Sequence, residues 1–179
     1  EEANKRIYAT TDAKRGALKT LADKEGYESF VISDDVGGRY SVLSAVGLLP
    51  MAVAGINITK VLDGAKSAYK DCFVFDVDTN PAYKYAVTRF LMQAKEKKLV
   101  EVLCNFDTRL KEFGEWYKQL FAESEGKDKK GLFVSSLNYS TDLHSFGQYI
   151  QEGTPMVFET FIKVKEPETD IVLSGLEEN

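Results

Sequence analysis

The feature that most constrains this chain is a repeated change of period, in which short apolar runs suited to strands give way to stretches whose apolar residues recur at helical spacing. Residues 6–10 form a β-prone run. After Thr11 or Asp12 as a cap, Ala17, Leu18, Leu21 and Ala22 share one helical face, and Gly26 closes the stretch. Residues 30–32 read as a second short strand, leading through Asp34, Asp35, Gly37 and Gly38 into a helix that begins near Ser41. Two helices follow, one carrying Ile58, Val61, Leu62, Ala65 and Ala68, the next opened by Asn80 as cap and Pro81 in the first turn. Residues 99–104 return to strand character. Leu110, Phe113, Trp116, Tyr117, Leu120 and Phe121 then mark the clearest amphipathic helix. A charged turn at 126–131, a strand at 132–139, a short helix capped by Thr141 or Asp142 and a strand at 156–165 complete the pattern. Such alternation predicts an α/β fold of three layers, a mainly parallel sheet flanked by helices and joined by right-handed crossovers.

Composition narrows the function classes. The chain has 179 residues, 44% of them hydrophobic, enough for one sizeable core, and a single domain spanning 1–179 is expected. Its 23 basic and 28 acidic residues give a net charge of -5 and are interspersed, which argues against nucleic acid as a partner. The most apolar stretch, 42–56, holds Ser44 and Pro50 and falls short of the roughly 20 residues of a membrane span, so it reads as a buried helix and no membrane partner is expected. Cys72 and Cys104 suggest neither a disulfide framework nor a metal quartet, and no charged leader with an apolar segment opens the chain. The expected location is the cytoplasm. A start at Glu1 without Met, and a stop soon after a strand-like run, fit an excised piece, an expressed fragment or a proteolytic core alike.

Three places could carry chemistry. Residues 34–44, DDVGGRYSVLS, stand where a strand yields to a helix, the usual ligand edge of an open α/β sheet. Gly37 and Gly38 permit a tight turn and close approach of a ligand, and Arg39 adds a forked cation suited to an anionic sugar or an enolate. The alternative is a surface turn in which Arg39 pairs with Asp34 or Asp35. His144 is the only histidine, placed near a helix start, and is the one side chain whose ordinary pKa lies near neutrality; a solitary histidine there is commonly just a surface or half-buried polar residue. Glu123 and Glu125 lie where the amphipathic helix runs out into Gly126, and either could act as a base or simply belong to a solvated turn.

Taken together, residues 33–50 (SDDVGGRYSVLSAVGLLP), 123–131 (ESEGKDKKG) and 139–153 (YSTDLHSFGQYIQEG) resemble the Bacillus-type phosphoglucose isomerases, in that family's order and spacing. The resemblance implies a flavodoxin-like sugar-isomerase domain, the second of two. It also implies interconversion of glucose 6-phosphate and fructose 6-phosphate in glycolysis and gluconeogenesis through an enediolate, needing neither metal nor organic cofactor. By that resemblance Arg39 lies against the enediolate, Glu123 is the base that carries a proton between C1 and C2, and His144 assists ring opening, often from the neighbouring subunit of a homodimer. Two parts of the family's site fall outside these residues: the Ser/Thr-rich phosphate loop of the preceding domain and a C-terminal segment bearing a lysine. The chain alone is therefore expected to be inactive. Two rivals remain at this point. A non-catalytic sugar-phosphate-binding domain of the same fold would have no use for a positioned carboxylate, and a docking module would rest on Trp116 and Tyr117, whose helical spacing fits a core.

Overall fold

The computed structural model describes residues 3–167. The chain divides into two compact units, Glu1–Phe90 and Leu91–Asn179. Among the described residues all strand pairings are parallel, in keeping with the alternation, and the strands fall into two sheets.

In the first unit, β1 (Tyr8–Thr11) and β2 (Glu28–Val31) pair in register Tyr8↔Glu28 to Thr11↔Val31, joined through α1 (Ala17–Glu25). Ala9 of β1 and Ala22 of α1 are both buried, so two small side chains bring helix and strand together. Neither expected residue caps α1. Asp12 turns its carboxylate to the amides of Lys14 and Arg15 at 2.7 and 2.9 Å, and Gly16, at φ 109, enters the helix instead. Gly26 closes it in the left-handed region, φ 71, as the sequence suggested.

The apolar stretch 42–56 is not one buried helix. A 3-10 turn over Gly38–Leu43 gives way at Ser44, extended at φ -100, to α2 (Ala45–Val53). Ser44 imposes the break because its hydroxyl accepts from the Val46 amide and donates to the Ser41 carbonyl. No residue of α2 is fully buried, and Val53 is 79% exposed.

α3 (Ile58–Cys72), capped by Asn57, and α4 (Pro81–Ala94), capped by Asn80, follow. Asn80 is fully buried: its carbonyl oxygen accepts from Ala82 and Tyr83, and its amide donates to the carbonyls of Cys72 and Val74, both at 2.8 Å.

The second unit has a three-stranded sheet in the order β4-β3-β5, with β3 (Val100–Asn105) between β4 (Phe133–Asn138) and β5 (Val157–Phe161). Strand periodicity sends alternate residues of β3 to opposite faces. Leu103 packs with Val134, Tyr117 and Phe121, the last two from α5 (Lys111–Glu125). Val102 and Cys104 pack with Leu137 and Tyr139 on the other face, where Ile150 of α6 (Leu143–Glu152) joins them. The unit is thus helix, sheet, helix. Each fully buried aliphatic side chain in these clusters contributes about 1.5–3 kcal/mol. Glu101 interrupts the apolar run of β3 yet is fully buried, and the Thr160 hydroxyl donates to it at 2.8 Å.

Candidate active site

In the first unit, Gly37 stands just before the 3-10 turn, and Gly38 and Arg39 are the first two residues of that turn. Neither glycine adopts a positive φ, and a Cβ at Gly38 would meet open space. Their lack of side chains is thus not required by packing here and leaves the backbone open to a ligand. The true constraint is Gly47, where a Cβ would sit 2.1 Å from the Val42 carbonyl oxygen. The guanidinium of Arg39 lies over the Tyr40 ring, 4.8 Å from its centroid. The Ser41 hydroxyl donates to the Gly38 carbonyl at 2.7 Å and tightens the turn. The Ser33 hydroxyl donates to the Asp35 carboxylate, which lowers that group's pKa. The helix expected to begin near Ser41 opens as this 3-10 turn instead, and α2 starts at Ala45.

Glu123 and His144 belong to the second unit. Glu123 is exposed in the last turn of α5 and accepts from the Gln119 amide at 3.2 Å. Glu125, half-buried, ends the helix. The turn beyond folds back on it: the Lys127 amide donates to the Glu125 carbonyl at 2.7 Å, and Asp128 and Lys129 take φ of 52 and 58. His144 is exposed in the first turn of α6, its amide donating to the Thr141 carbonyl at 3.3 Å. Asp142 occupies the N-cap position without capping. Its carboxylate instead accepts from the Asn138 amide at 2.6 Å, closing the loop after β4.

Chain direction separates these two groups. Glu123 precedes β4, at the amino edge of the sheet, whereas His144 follows β4, at the carboxyl edge. Six strand residues stand between the edges, roughly 17 Å at about 3.3 Å per residue. Within one copy of this unit the two groups therefore stand at opposite edges of the sheet.

A buried polar knot fastens the loop before His144. The Tyr139 hydroxyl donates to Glu159, and the Cys104 thiol donates to the same oxygen at 3.6 Å. Burial pushes the Cys104 thiol up to about 11, and burial followed by the Glu159 bond raises Tyr139 as well. Both groups stay protonated at neutral pH and serve as donors. Asn105 and Asn138, in register at the strand ends, share a 3.2 Å hydrogen bond.

The sequence reading did not single out Phe106, Arg109, Phe161 or Lys163, which line a cavity at the carboxyl edge. Phe106 and Arg109 have only their place soon after the strand expected at 99–104, and Phe161 and Lys163 fall inside the strand expected at 156–165, so nothing local marks them. Among the described residues no group of three or more His, Cys, Asp or Glu gathers to hold a metal ion, and no helix is long and apolar enough to cross a membrane.

Parallel strands flanked by helices define an α/β protein. The family model described as phosphoglucose isomerase matches residues 2–174, and the chain belongs to that family. It is 58% identical over all 179 residues to a glucose-6-phosphate isomerase of Bacillus cereus, and 57% identical to one of Clostridium perfringens. The chain spans 39% and 40% of the length of those relatives. Among solved structures it is similar to a hypothetical protein of Thermus thermophilus, with TM-score 0.85 and 30% identity over 95% of this chain and 41% of that one. A glucose-6-phosphate isomerase of Chlamydia trachomatis shares the fold, with TM-score 0.78 and 24% identity over 94% of this chain and 35% of that one.

Proposed function

We propose that this chain supplies Glu123, Arg39 and His144 to an aldose–ketose isomerase that interconverts glucose 6-phosphate and fructose 6-phosphate. The observation that carries the reading is the family match over residues 2–174. The exposed carboxylate at the end of α5 and the open backbone at Gly37 and Gly38 are in keeping with it.

In this reading Glu123 takes a proton from one of C1 and C2 and returns it to the other, which needs a carboxylate reachable by substrate. Arg39 opposes the negative charge that develops on the enediolate oxygen, with Gly37 and Gly38 admitting the sugar beside it. The His144 imidazole moves the proton that opens the ring. The chemistry calls for no metal or organic cofactor. The phosphate grip and a catalytic lysine come from parts of the enzyme outside this chain, so the chain alone does not isomerise hexose phosphate. The opposed edges of Glu123 and His144 favour a homodimer in which His144 serves the neighbour's site. A cytoplasmic location, and assignment of residues 1–179 to one sugar-isomerase-type domain, belong to the same proposal.

The test is to place these 179 residues in the Bacillus cereus relative in place of its matching segment and follow isomerisation by a coupled assay. The chimaera is expected to turn over, and Glu123→Gln to cut kcat about 10²–10⁴-fold, the usual worth of a positioned base. An undiminished rate in that variant would remove Glu123 from the mechanism.

A further inference from the structure

We infer that the cavity at the carboxyl edge of the second unit's sheet is a binding site for a small organic anion built on a flat apolar ring. It stands apart from Glu123, at the opposite edge, and does not depend on the isomerase reading.

Place is the first argument. Phe106, Asp107, Thr108 and Arg109 follow β3, while Phe161 ends β5 and Ile162, Lys163 and Val164 follow it. The space between is about 690 Å³, within the roughly 300–1,000 Å³ of small-molecule sites. The mouths of adjacent parallel strands are where open α/β sheets hold ligands.

The lining supplies the chemistry. Phe106 and Phe161 lie nearly parallel, 15° apart with centroids at 6.2 Å, and are 64% and 52% exposed. Buried Tyr139 meets both, its centroid 5.5 Å from Phe106 and 5.8 Å from Phe161, and the Glu159 bond holds Tyr139 in turn. The aromatic surface is therefore preformed, and little ordering opposes binding. Ile162 is fixed as well, its amide donating to the Cys104 carbonyl at 2.9 Å and its side chain packing on the Leu103 cluster.

Charge selects the ligand's sign. Arg109 forks onto the Asp107 carboxylate, with contacts of 2.6 and 3.0 Å, so these two charges largely cancel. Lys163 is exposed and makes no ion pair among the described residues, which leaves the cavity one net cation beside its aromatic platform. A ring bearing one carboxylate or phosphate monoester satisfies both.

The experiment is an NMR titration of the isotope-labelled chain with phenyl phosphate, with inorganic phosphate and phenol as separate probes. Saturable shifts at the amides of 106–109 and 162–164, with a Kd of about a millimolar or below, are expected for a ligand of this size. Lys163→Ala, at an exposed position, should weaken phenyl phosphate about tenfold, the worth of one charge-assisted contact. Phe106→Ala should weaken it severalfold, and each half-probe should bind more weakly than the whole. Absence of saturation, shifts centred elsewhere, undiminished binding by Lys163→Ala, or phosphate alone binding as well as phenyl phosphate would overturn the inference.

Discussion

Cys104 is fully buried in β3 and shares the carboxylate of Glu159 with Tyr139, whereas Cys72 is exposed at the end of α3. A thiol reagent should therefore titrate one sulfhydryl in the folded chain and two after unfolding; two in the folded state would contradict the burial. Because burial raises the Cys104 pKa from 9.0 to about 11, the folded state holds that proton more tightly than the unfolded one. Its contribution to stability is complete below about pH 9 and is lost as the pH rises toward 11. Asp107 runs the other way. The Arg109 guanidinium and amide hold its carboxyl down at about 2, so its contribution is present above the ordinary carboxylate range and is lost as the pH falls through 2. Arg109→Met should bring Asp107 back toward 3.8, read by NMR titration. Of the proposed site residues, Gly37, Gly38, Arg39 and His144 stand out by residue type and place along the chain, whereas the choice of Glu123 over Glu125 rests on the family resemblance. Tyr139 and Glu159 do not stand out, since their bond joins groups 20 residues apart that only the sheet brings together.

At the scale of elements, Asn80 and Gly114 each join two segments. Asn80→Ala removes a buried cap and strands the Cys72 and Val74 carbonyls; a loss of about 2–3 kcal/mol in urea unfolding is expected. A Cβ at Gly114 would lie 2.8 Å from the Ser136 Cβ, so Gly114→Ala pushes α5 off β4, with a loss of about 1–3 kcal/mol. Unchanged unfolding midpoints would contradict either contact. Asn80-Pro81 and Gly26 were legible because cap chemistry is local. The break at Ser44 and the diversion of Asp12 and Asp142 were not, because each side chain had a second backbone partner within reach that spacing does not rank. Strand ends moved by a few residues for a related reason. The spacing predicts β5 over 156–165, whereas it pairs over Val157–Phe161, the ladder stopping at Cys104↔Phe161 one residue before β3 itself ends.

At the scale of the whole molecule, the parallel α/β class was legible because period and turn chemistry agree along the chain, while the division of strands between two sheets depends on pairing that no local signal encodes. The chain leaves Phe73, Phe75, Phe106 and Phe133 more than 60% exposed, and such apolar surface favours association. Light scattering should find dimers or larger species; a monomer at high concentration would count against this. Limited proteolysis that freed 1–90 from 91–179 as separately stable pieces would contradict the single-domain proposal. If His144 serves the neighbouring copy, mixing Glu123→Gln with His144→Ala chimaeras regenerates one intact site in each mixed dimer. Activity should recover to about a quarter of the unsubstituted level for random exchange. The most direct measurement is deuterium uptake from solvent at C2 of glucose 6-phosphate, formed from fructose 6-phosphate by the chimaera and by its Glu123→Gln variant. Label at C2 is expected with Glu123 present, and with Gln labelled product should form about 10²–10⁴-fold more slowly while sugar binding persists; labelled product at an unchanged rate from the variant would contradict the role of Glu123.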